Sequence, residues 1–503
     1  MLTSGDCKKE SGGEHAEMIQ TVLDGVNCSH RQTKFRIVCI ASDGETRRGF
    51  SFSLLTFKNL LSSQSPIYPL LSPLVFMDLH VGDDDLTCNK DWKHVFKRFR
   101  NLLLCACGVV INGFRVTPDI LRTHFQSHGL SADHIRAAFN PKDQQDVKLA
   151  FDMLKDIWTL LCSSENTNPG VSAAREALWT LGKLLYHMVF PFLCVDLTLS
   201  EQFEHLSAAA HLALALYRLA GPKFIPTNLF IDIMLMIKNA YFCLAKVMTD
   251  NPEGSFWLIL LGTDRLEELF GILRTMVGND SNMDMTQLIS RLGSTTEVAN
   301  ILAKYPQWDR SPRRLKLPVI TRDSKEIPDS ADHIKPAVWK GNVEVKNVSL
   351  QTIWKRGRCM VEEECAFTGE VLQLLADNPK SSIFAPSGTF LISAPRDSDD
   401  IDESLENLMP EIIDSLRDGT DSTAPSELPE IPTDSAEARV DIEDALAGLA
   451  FESGDTTVGS SPISRTVTIN GVEILKSKAL ARYSKYRKEA SSTDRLRRVQ
   501  QVE

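Results

Sequence analysis

The sequence has no apolar run long enough to cross a membrane and no regular cysteine pattern. Its longest apolar stretches, residues 184–194 and 256–261, fall short of the roughly 20 residues that a spanning helix needs. The 11 cysteines are irregularly spaced, which is typical of a reduced intracellular chain and excludes a disulfide-stapled secreted module. Residues 1–26 are polar and mixed in charge, so no signal peptide is predicted.

Acidic and basic side chains are distributed unevenly along the 503 residues. The formal net charge is −11, yet residues 397–444 alone carry 17 acidic and 2 basic side chains, and residues 465–503 carry 10 basic and 4 acidic ones. The rest of the chain is nearly neutral, so local basic ridges on it would suffice to bind a nucleic acid. The acidic stretch is predicted to be disordered and suited to recruiting protein partners.

Hydrophobic periodicity predicts strands early in the chain and helices afterwards. The predicted strands are short apolar or alternating segments at residues 36–40, 50–54, 74–77 and 109–111. Helical spacing begins after Asp91 and dominates the chain from about residue 117. The main predicted helices cover residues 144–162, 172–188, 201–219, 228–248 and 263–277. Near the end of the chain, residues 467–469 are predicted to form a brief strand, followed by a basic helix or tail.

Three carboxylates occupy positions, at the ends or borders of predicted strands and helices, from which a side chain could bind a metal ion or take part in catalysis. Asp43 follows the first predicted strand, so its side chain is expected to project from the edge of a sheet. Asp91 immediately precedes a strongly amphipathic helix, and Glu267 borders the apolar stripe of another helix. Each also has a structural interpretation: Asp43 as a turn residue, Asp91 as a helix cap and Glu267 as an ordinary surface residue. Glu268, next to Glu267, is the alternative candidate for the same functional role.

Two motifs resemble those of P element-type transposases. Asp91-x-x-His94-x-x-Lys97-x-x-Arg100-Asn101 resembles the second acidic motif of that family, and Thr263-Asp264-x-x-Glu267-x-x-Phe270 resembles the last one. Asp43-Gly44 is similar to the first. The resemblance covers roughly residues 35–280.

This resemblance implies an α/β fold, in which a large all-helical insertion interrupts an RNase H-like core. It also implies that Asp43, Asp91 and Glu267 bind two Mg²⁺ or Mn²⁺ ions for DNA phosphodiester hydrolysis and strand transfer. Hard divalent ions prefer carboxylate oxygens, and two of them can stabilise both the attacking and the leaving oxygen of a phosphate. DNA is the implied partner, the nucleus the implied location, and no membrane is involved. The basic residues expected to contact DNA phosphates are His94, Lys97, Arg98 and Arg100.

The sequence departs from the family pattern in two respects. Only 42 residues precede Asp43, too few for the zinc-binding DNA-recognition domain and the oligomerising region of an active member. The insertion has no Gly-x-x-x-x-Gly-Lys-Ser/Thr motif, so no nucleotide site can be placed in it. We therefore expect a fungal transposon-derived relative, truncated, inactive or domesticated. The alternatives are a non-enzymatic DNA- or chromatin-binding protein and a helical interaction scaffold. Homo-oligomerisation is left open.

These expectations divide the chain into seven segments. They comprise a flexible leader, two parts of the core around the helical insertion, a mixed α/β extension, the acidic linker and a basic end. In order, they cover residues 1–33 (leader), 34–116 (core), 117–262 (insertion), 263–300 (last core helix), 301–394 (extension), 395–460 (disordered acidic linker) and 461–503 (basic segment).

Overall fold

The protein is described here by a computed structural model. The described residues are 11–33, 36–42, 46–140, 146–160, 169–275, 285–305, 317–327, 336–392, 466–469 and 472–475. The chain divides into two units, Met1–Asp421 and Ser422–Glu503. In the second unit the described residues form one antiparallel hairpin, which confirms the predicted strand near residue 467. The acidic linker lies outside the described residues.

The first unit begins with short strands among helices. Its elements up to residue 116 are α1 (Gly12–Thr33), β1 (Cys39–Ser42), α2 (Thr46–Thr56), β2 (Asn59–Leu60), α3 (Tyr68–Leu71), β3 (His80–Val81), β4 (Thr87–Lys90), α4 (Trp92–Leu103), β5 (Val109–Ile111) and β6 (Phe114–Val116). Strands β1 and β4 pair in parallel, with Ser42 opposite Lys90, so both end at the same edge. The strand predicted at residues 109–111 is confirmed as β5, whereas the one predicted at residues 36–40 lies three residues further on, as β1, and shares only Cys39 and Ile40 with the prediction.

Helices dominate the rest of the first unit. They are α5 (Pro118–Ser127), α6 (Ala132–Ala138), α7 (Val147–Thr159), α8 (Pro169–Leu193), α9 (Leu199–Ala220), α10 (Thr227–Asp250), α11 (Asp264–Thr275), α12 (Met285–Lys304), α13 (Leu350–Glu364) and α14 (Phe367–Ala376). The five main helices predicted from periodicity correspond to α7 through α11 and are confirmed. The hairpin of the second unit joins β7 (Thr466–Ile469) and β8 (Val472–Leu475). A mixture of α and β elements is present, whereas an RNase H-like sheet stays a prediction.

Three local predictions are wrong. Residues 50–54 belong to helix α2, not to a strand, because Phe52 and Leu55 face the core while Leu54 is 40% exposed. Residues 74–77 form turns, with Phe76 at a φ of 70°. The leader is not simply irregular: α1 spans most of it and buries Ala16 and Leu23, which recur at helical spacing.

Helix α10 is the central apolar helix of the first unit. Among the described helices it is the one long and apolar enough to cross a membrane, but 89% of its most apolar window is buried inside the protein. It packs against β4, α4 and α9. Its buried polar side chains bond to the strand region: Asn239 accepts from Thr87 Oγ1 at 2.7 Å, and Lys246 donates to the Val38 carbonyl at 2.6 Å. These contacts identify α10 as a core helix.

A buried ion pair joins α10 to the segment before β3. Lys238 Nζ lies 2.6 Å from Asp78 Oδ1 and also donates to the His80 carbonyl, and both charged side chains are at most 5% exposed. The ammonium lies 4.2 Å from the centre of the Phe57 ring. Although burial opposes ionisation, the Lys238 charge and the His80 hydrogen bond lower the pKa of Asp78 to about 2.

Replacing Lys238 should therefore destabilise the protein strongly. Lys238→Met leaves the Asp78 carboxylate buried without its cation, and we expect the free energy of unfolding to fall by about 3–5 kcal/mol in chemical denaturation. Lys346→Met is the matched control. Lys346 pairs with Glu253 at 3.4 Å on the surface, where solvent screens the pair, so its loss should change stability little. Equal effects of the two substitutions would contradict this role of Lys238.

Candidate carboxylate site

Asp91 stands at the junction between β4 and α4 and caps the helix. Its backbone is extended, and its Oδ1 accepts hydrogen bonds from the backbone N–H groups of Lys93 at 2.8 Å and His94 at 3.2 Å. The residue is 2% exposed. The helix forms because Val95, Phe96 and the apolar residues of the next two turns share one buried face. The capping interpretation of Asp91 is thus confirmed.

The second carboxylate oxygen of Asp91 holds the loop before α11. Asp91 Oδ2 accepts from both the backbone N–H and the hydroxyl of Thr263, each at 2.6 Å. Each oxygen of Asp91 therefore accepts two hydrogen bonds. Burial favours the neutral carboxyl, but the nearby His94 imidazole and the Thr263 hydrogen bonds outweigh it and hold the pKa of Asp91 well below its usual value.

Two further contacts dock the same loop onto the β4–α4 junction. Asn89 Nδ2 donates to the Leu261 carbonyl at 2.7 Å, and the Lys93 ammonium bonds to Asp264 Oδ1. Between them, a Cβ placed on Gly262 would lie 3.3 Å from Asp91 Oδ2, tighter than most such contacts. The loop therefore packs closely against the β4–α4 junction. As a result, Thr263 and Asp264 of the last predicted motif contact Asp91 and Lys93 of the second.

Asp264 is a buried carboxylate that the sequence analysis did not select. It is 7% exposed, and its Oδ2 has no hydrogen-bond donor among the residues that the structure describes. Burial raises its pKa to about 6, helped by the charges of Asp91 and Glu267, while Lys93 opposes the shift. In the sequence it is visible as part of the Thr263-Asp264-x-x-Glu267 motif, but no pattern there marks it as buried.

Of the predicted triad, Asp91 and Glu267 lie within the described residues. Glu267 lies half-buried in the first turn of α11, close enough to Asp264 for its charge to act there. Asp43 lies outside the described residues. Its predecessor Ser42 ends β1, and the Ser42 carbonyl accepts from the Asp91 N–H at 3.3 Å. Asp43 and Asp91 are therefore the residues that directly follow two paired parallel strands.

The basic residues predicted to contact DNA occupy different environments. Arg100 is fully buried, and its guanidinium donates to the carbonyls of Ala138 and Asn140, so the expectation that Arg100 contacts DNA phosphates conflicts with its position. Arg98 bonds to Asp232 of α10 and keeps a quarter of its side chain exposed. Lys97 is 9% exposed, and His94 Nδ1 lies 3.4 Å from Asp91 Oδ1. DNA contact by Lys97, Arg98 and His94 stays a prediction.

The donor set of the site suits a hard divalent cation. Asp91, Asp264 and Glu267 have carboxylate oxygens, the ligands that Mg²⁺ and Mn²⁺ prefer. Among the described residues, no donor bonds to the buried Oδ2 of Asp264. Within the described residues, however, no three acidic, histidine or cysteine side chains are arranged as a ready-made metal site. Asp91 in particular has both oxygens occupied by hydrogen bonds. The carboxylates are of a type that binds divalent ions, but among the described residues they are not arranged around a common point, and Asp91 is fully hydrogen-bonded.

Comparison with known proteins gives a distant match. No family model and no curated protein matches the sequence. Among solved structures, a Drosophila P element transposase strand transfer complex is similar with 17% sequence identity and a TM-score of 0.37. The match covers 54% of this chain and 62% of the length of that one. Because both the identity and the TM-score are low, neither fold nor family is assigned from this likeness.

Asp91 should contribute more to stability than a helix cap alone. Asp91→Ala removes four hydrogen bonds and leaves buried donors of Thr263 unpaired, so we expect the free energy of unfolding to fall by about 3 kcal/mol. Asp146 caps α7 through a single 3.0 Å bond from Leu149 N, and Asp146→Ala should cost about 1 kcal/mol. Equal losses in urea denaturation would show that the loop contact contributes nothing.

Asp264 should make stability fall as the pH rises from about 4 to about 6. The folded state holds the Asp264 proton more tightly than the unfolded chain, whose Asp pKa is about 3.9, so deprotonation in this window favours unfolding by up to about 3 kcal/mol. Asp264→Asn should abolish this part of the pH profile, measured by denaturation at each pH. Asp377→Asn, at an exposed position, should leave the profile unchanged. A profile of Asp264→Asn that parallels the wild type would refute the shift.

Proposed function

We propose that this chain is a transposase-related protein that acts on DNA by two-metal phosphodiester hydrolysis and strand transfer. The observation that carries the proposal is the fastening of the loop before Glu267 to Asp91, through both hydrogen bonds of Thr263. Because Asp91 directly follows β4 and Thr263 directly precedes α11, the start of the helix that carries Glu267 lies beside the end of β4. Carboxylates that come from separate elements and meet at one sheet edge are what a two-ion site requires.

In this proposal each carboxylate has a distinct role. Asp43 and Asp91 would bind ions from the ends of the paired strands, and Glu267 would complete the ligand set from α11. When bound, two Mg²⁺ or Mn²⁺ ions would polarise the phosphate and activate water or a 3′-hydroxyl. Lys97 and Arg98, on the helix that follows Asp91, would contribute positive charge near the DNA backbone. Action in the nucleus is part of the same proposal.

A second candidate function is favoured by the occupied state of Asp91. All of its hydrogen-bond contacts are internal, and the Lys93 ammonium already supplies positive charge to Asp264. These internal contacts give the carboxylates a role in stabilising the fold. The chain would then be a non-enzymatic DNA- or chromatin-binding protein that retains a transposase-like arrangement.

Metal-dependent cleavage of DNA separates the two candidates. The full-length chain, incubated with supercoiled plasmid, should nick or linearise it with Mg²⁺ or Mn²⁺ and not with EDTA. Replacing a residue that only supports a metal ligand typically lowers metal affinity or activity about 10–100-fold. Asp91 and Glu267 would be ligands themselves, so Asp91→Asn and Glu267→Gln should each reduce the cleavage rate at least about 100-fold. DNA affinity should be retained, since phosphate contacts come from other side chains.

The control for this assay is Glu297→Gln, an exposed glutamate on α12, which should cleave at the wild-type rate. DNA binding without any metal-dependent cleavage by the wild type would favour the non-enzymatic candidate. Cleavage that survives both Asp91→Asn and Glu267→Gln would exclude this site as the catalytic one.

A further inference from the structure

Two cysteine side chains from different elements meet where the start of β1 contacts α10. Cys39 is the first residue of β1, and Cys243 lies in the middle of α10. Both are free thiols, and the two thiols are hydrogen-bonded to each other. Cys243 is 3% exposed, and its Sγ also lies 3.5 Å from Asn239 Oδ1. Cys39 keeps part of its surface exposed, so a small solute reaches Cys39 first.

A lysine on the same helix holds the surroundings of the pair together. Lys246 donates to the Val38 carbonyl, next to Cys39, at 2.6 Å, and its ammonium lies 3.2 Å from Thr87 Oγ1. Thr87 is the residue of β4 that pairs with Cys39 across the two parallel strands. The strand that carries one thiol and the helix that carries the other are therefore fixed to each other by hydrogen bonds.

The two thiols differ in how readily they ionise. The hydrogen bond from Cys243 lowers the pKa of Cys39 to about 7, aided by the charge of Lys246 and opposed by burial. The same hydrogen bond and complete burial raise the pKa of Cys243. The thiolate is the reactive form of cysteine, so Cys39 is the nucleophile of the pair and Cys243 its protonated partner. An accessible thiolate beside a second thiol is the arrangement of a redox-sensitive cysteine.

We propose that Cys39 and Cys243 are a redox-sensitive pair that hydrogen peroxide converts into a disulfide between β1 and α10. The bond would tie the strand that leads to Asp43 to the central apolar helix of the first unit. This inference involves neither a metal ion nor DNA, so it goes beyond the proposed function and does not depend on it.

The reaction needs two steps and one molecule of peroxide. The Cys39 thiolate attacks one oxygen of the peroxide, so an S–O bond forms, the O–O bond breaks, and hydroxide leaves and takes up the proton that Cys39 had released. The Cys243 sulfur then attacks the sulfur of the Cys39 sulfenic acid. The S–S bond forms, the S–O bond breaks, and the departing hydroxide takes up the Cys243 proton as water. Two thiols are oxidised, and the peroxide is reduced to two molecules of water.

Peptide mapping of the full-length chain, treated with hydrogen peroxide and then alkylated, tests this pairing. Trypsin releases Cys39 in the peptide of residues 37–47 and Cys243 in that of residues 239–246, and each peptide contains one cysteine. We expect these two peptides to be joined, lighter by two hydrogen atoms than their sum, and to separate with dithiothreitol. Cys39→Ser and Cys243→Ala should each abolish the joined species. Cys359→Ser, at an exposed position on α13, is the control and should leave its yield unchanged.

The rate at which iodoacetamide modifies Cys39 tests the hydrogen bond itself. Cys243→Ala removes the donor that stabilises the Cys39 thiolate, so at pH 7 Cys39 should react severalfold more slowly than in the wild type. The rate in Cys359→Ser should match the wild type. An unchanged rate in Cys243→Ala would contradict the role of Cys243.

The peroxide experiment has outcomes that would overturn the proposal. At a peroxide concentration that oxidises the exposed Cys359, the absence of the joined peptides would show that the two thiols do not form a disulfide. Joining of Cys39 to a different cysteine would likewise exclude Cys243 as its partner. Cys243→Ser, which is closer in size to cysteine, replaces Cys243→Ala should that variant fold poorly, and it too should give no joined peptides.

Discussion

The carboxylate of Asp91 is the contact on which the candidate site depends. Its two oxygens accept four hydrogen bonds, two from the first turn of α4 and two from Thr263, which is 172 residues further along the chain than Asp91. A buried charge is tolerated only where its acceptors are filled, and here they are. The same contact therefore starts one helix, places the next motif and leaves the carboxylate without a spare acceptor.

Charged side chains of α10 complete this environment. Asp232 bonds to Arg98 and lies 3.5 Å from the Lys90 ammonium, so these two cations of the β4–α4 region are paired within the protein. Lys93 is likewise engaged by Asp264. Positive charge close to the site is therefore largely used for internal pairing. DNA binding would depend on the accessible parts of Lys97 and Arg98 and on basic surfaces elsewhere.

Periodicity predicted the helices well because their apolar stripes are long, as in α4, where six apolar residues are buried. It failed for residues 50–54, where Phe50, Phe52 and Leu54 alternate with polar residues as in a strand. The residues that are buried are Ser51, Phe52, Leu55 and Thr56, and their spacing is that of one face of a helix. In the site, the resemblance of the two motifs to those of a known family implied that Asp91 and Glu267 would approach each other. It could not show Asp264 or Thr263 as partners, because hydrogen bonds between distant segments leave no periodic signal. The burial of Arg100 was hidden for the same reason, since its acceptors are backbone carbonyls.

The most direct test of the central claim is a crystal structure of the full chain soaked with Mn²⁺, with anomalous diffraction used to locate the ions. The account predicts two anomalous peaks about 4 Å apart, bound by the carboxylates of Asp43, Asp91 and Glu267. A structure at saturating Mn²⁺ in which Asp91 keeps both bonds to Thr263, with no peak within reach of these carboxylates, would contradict it. Asp91 would then be a structural residue alone.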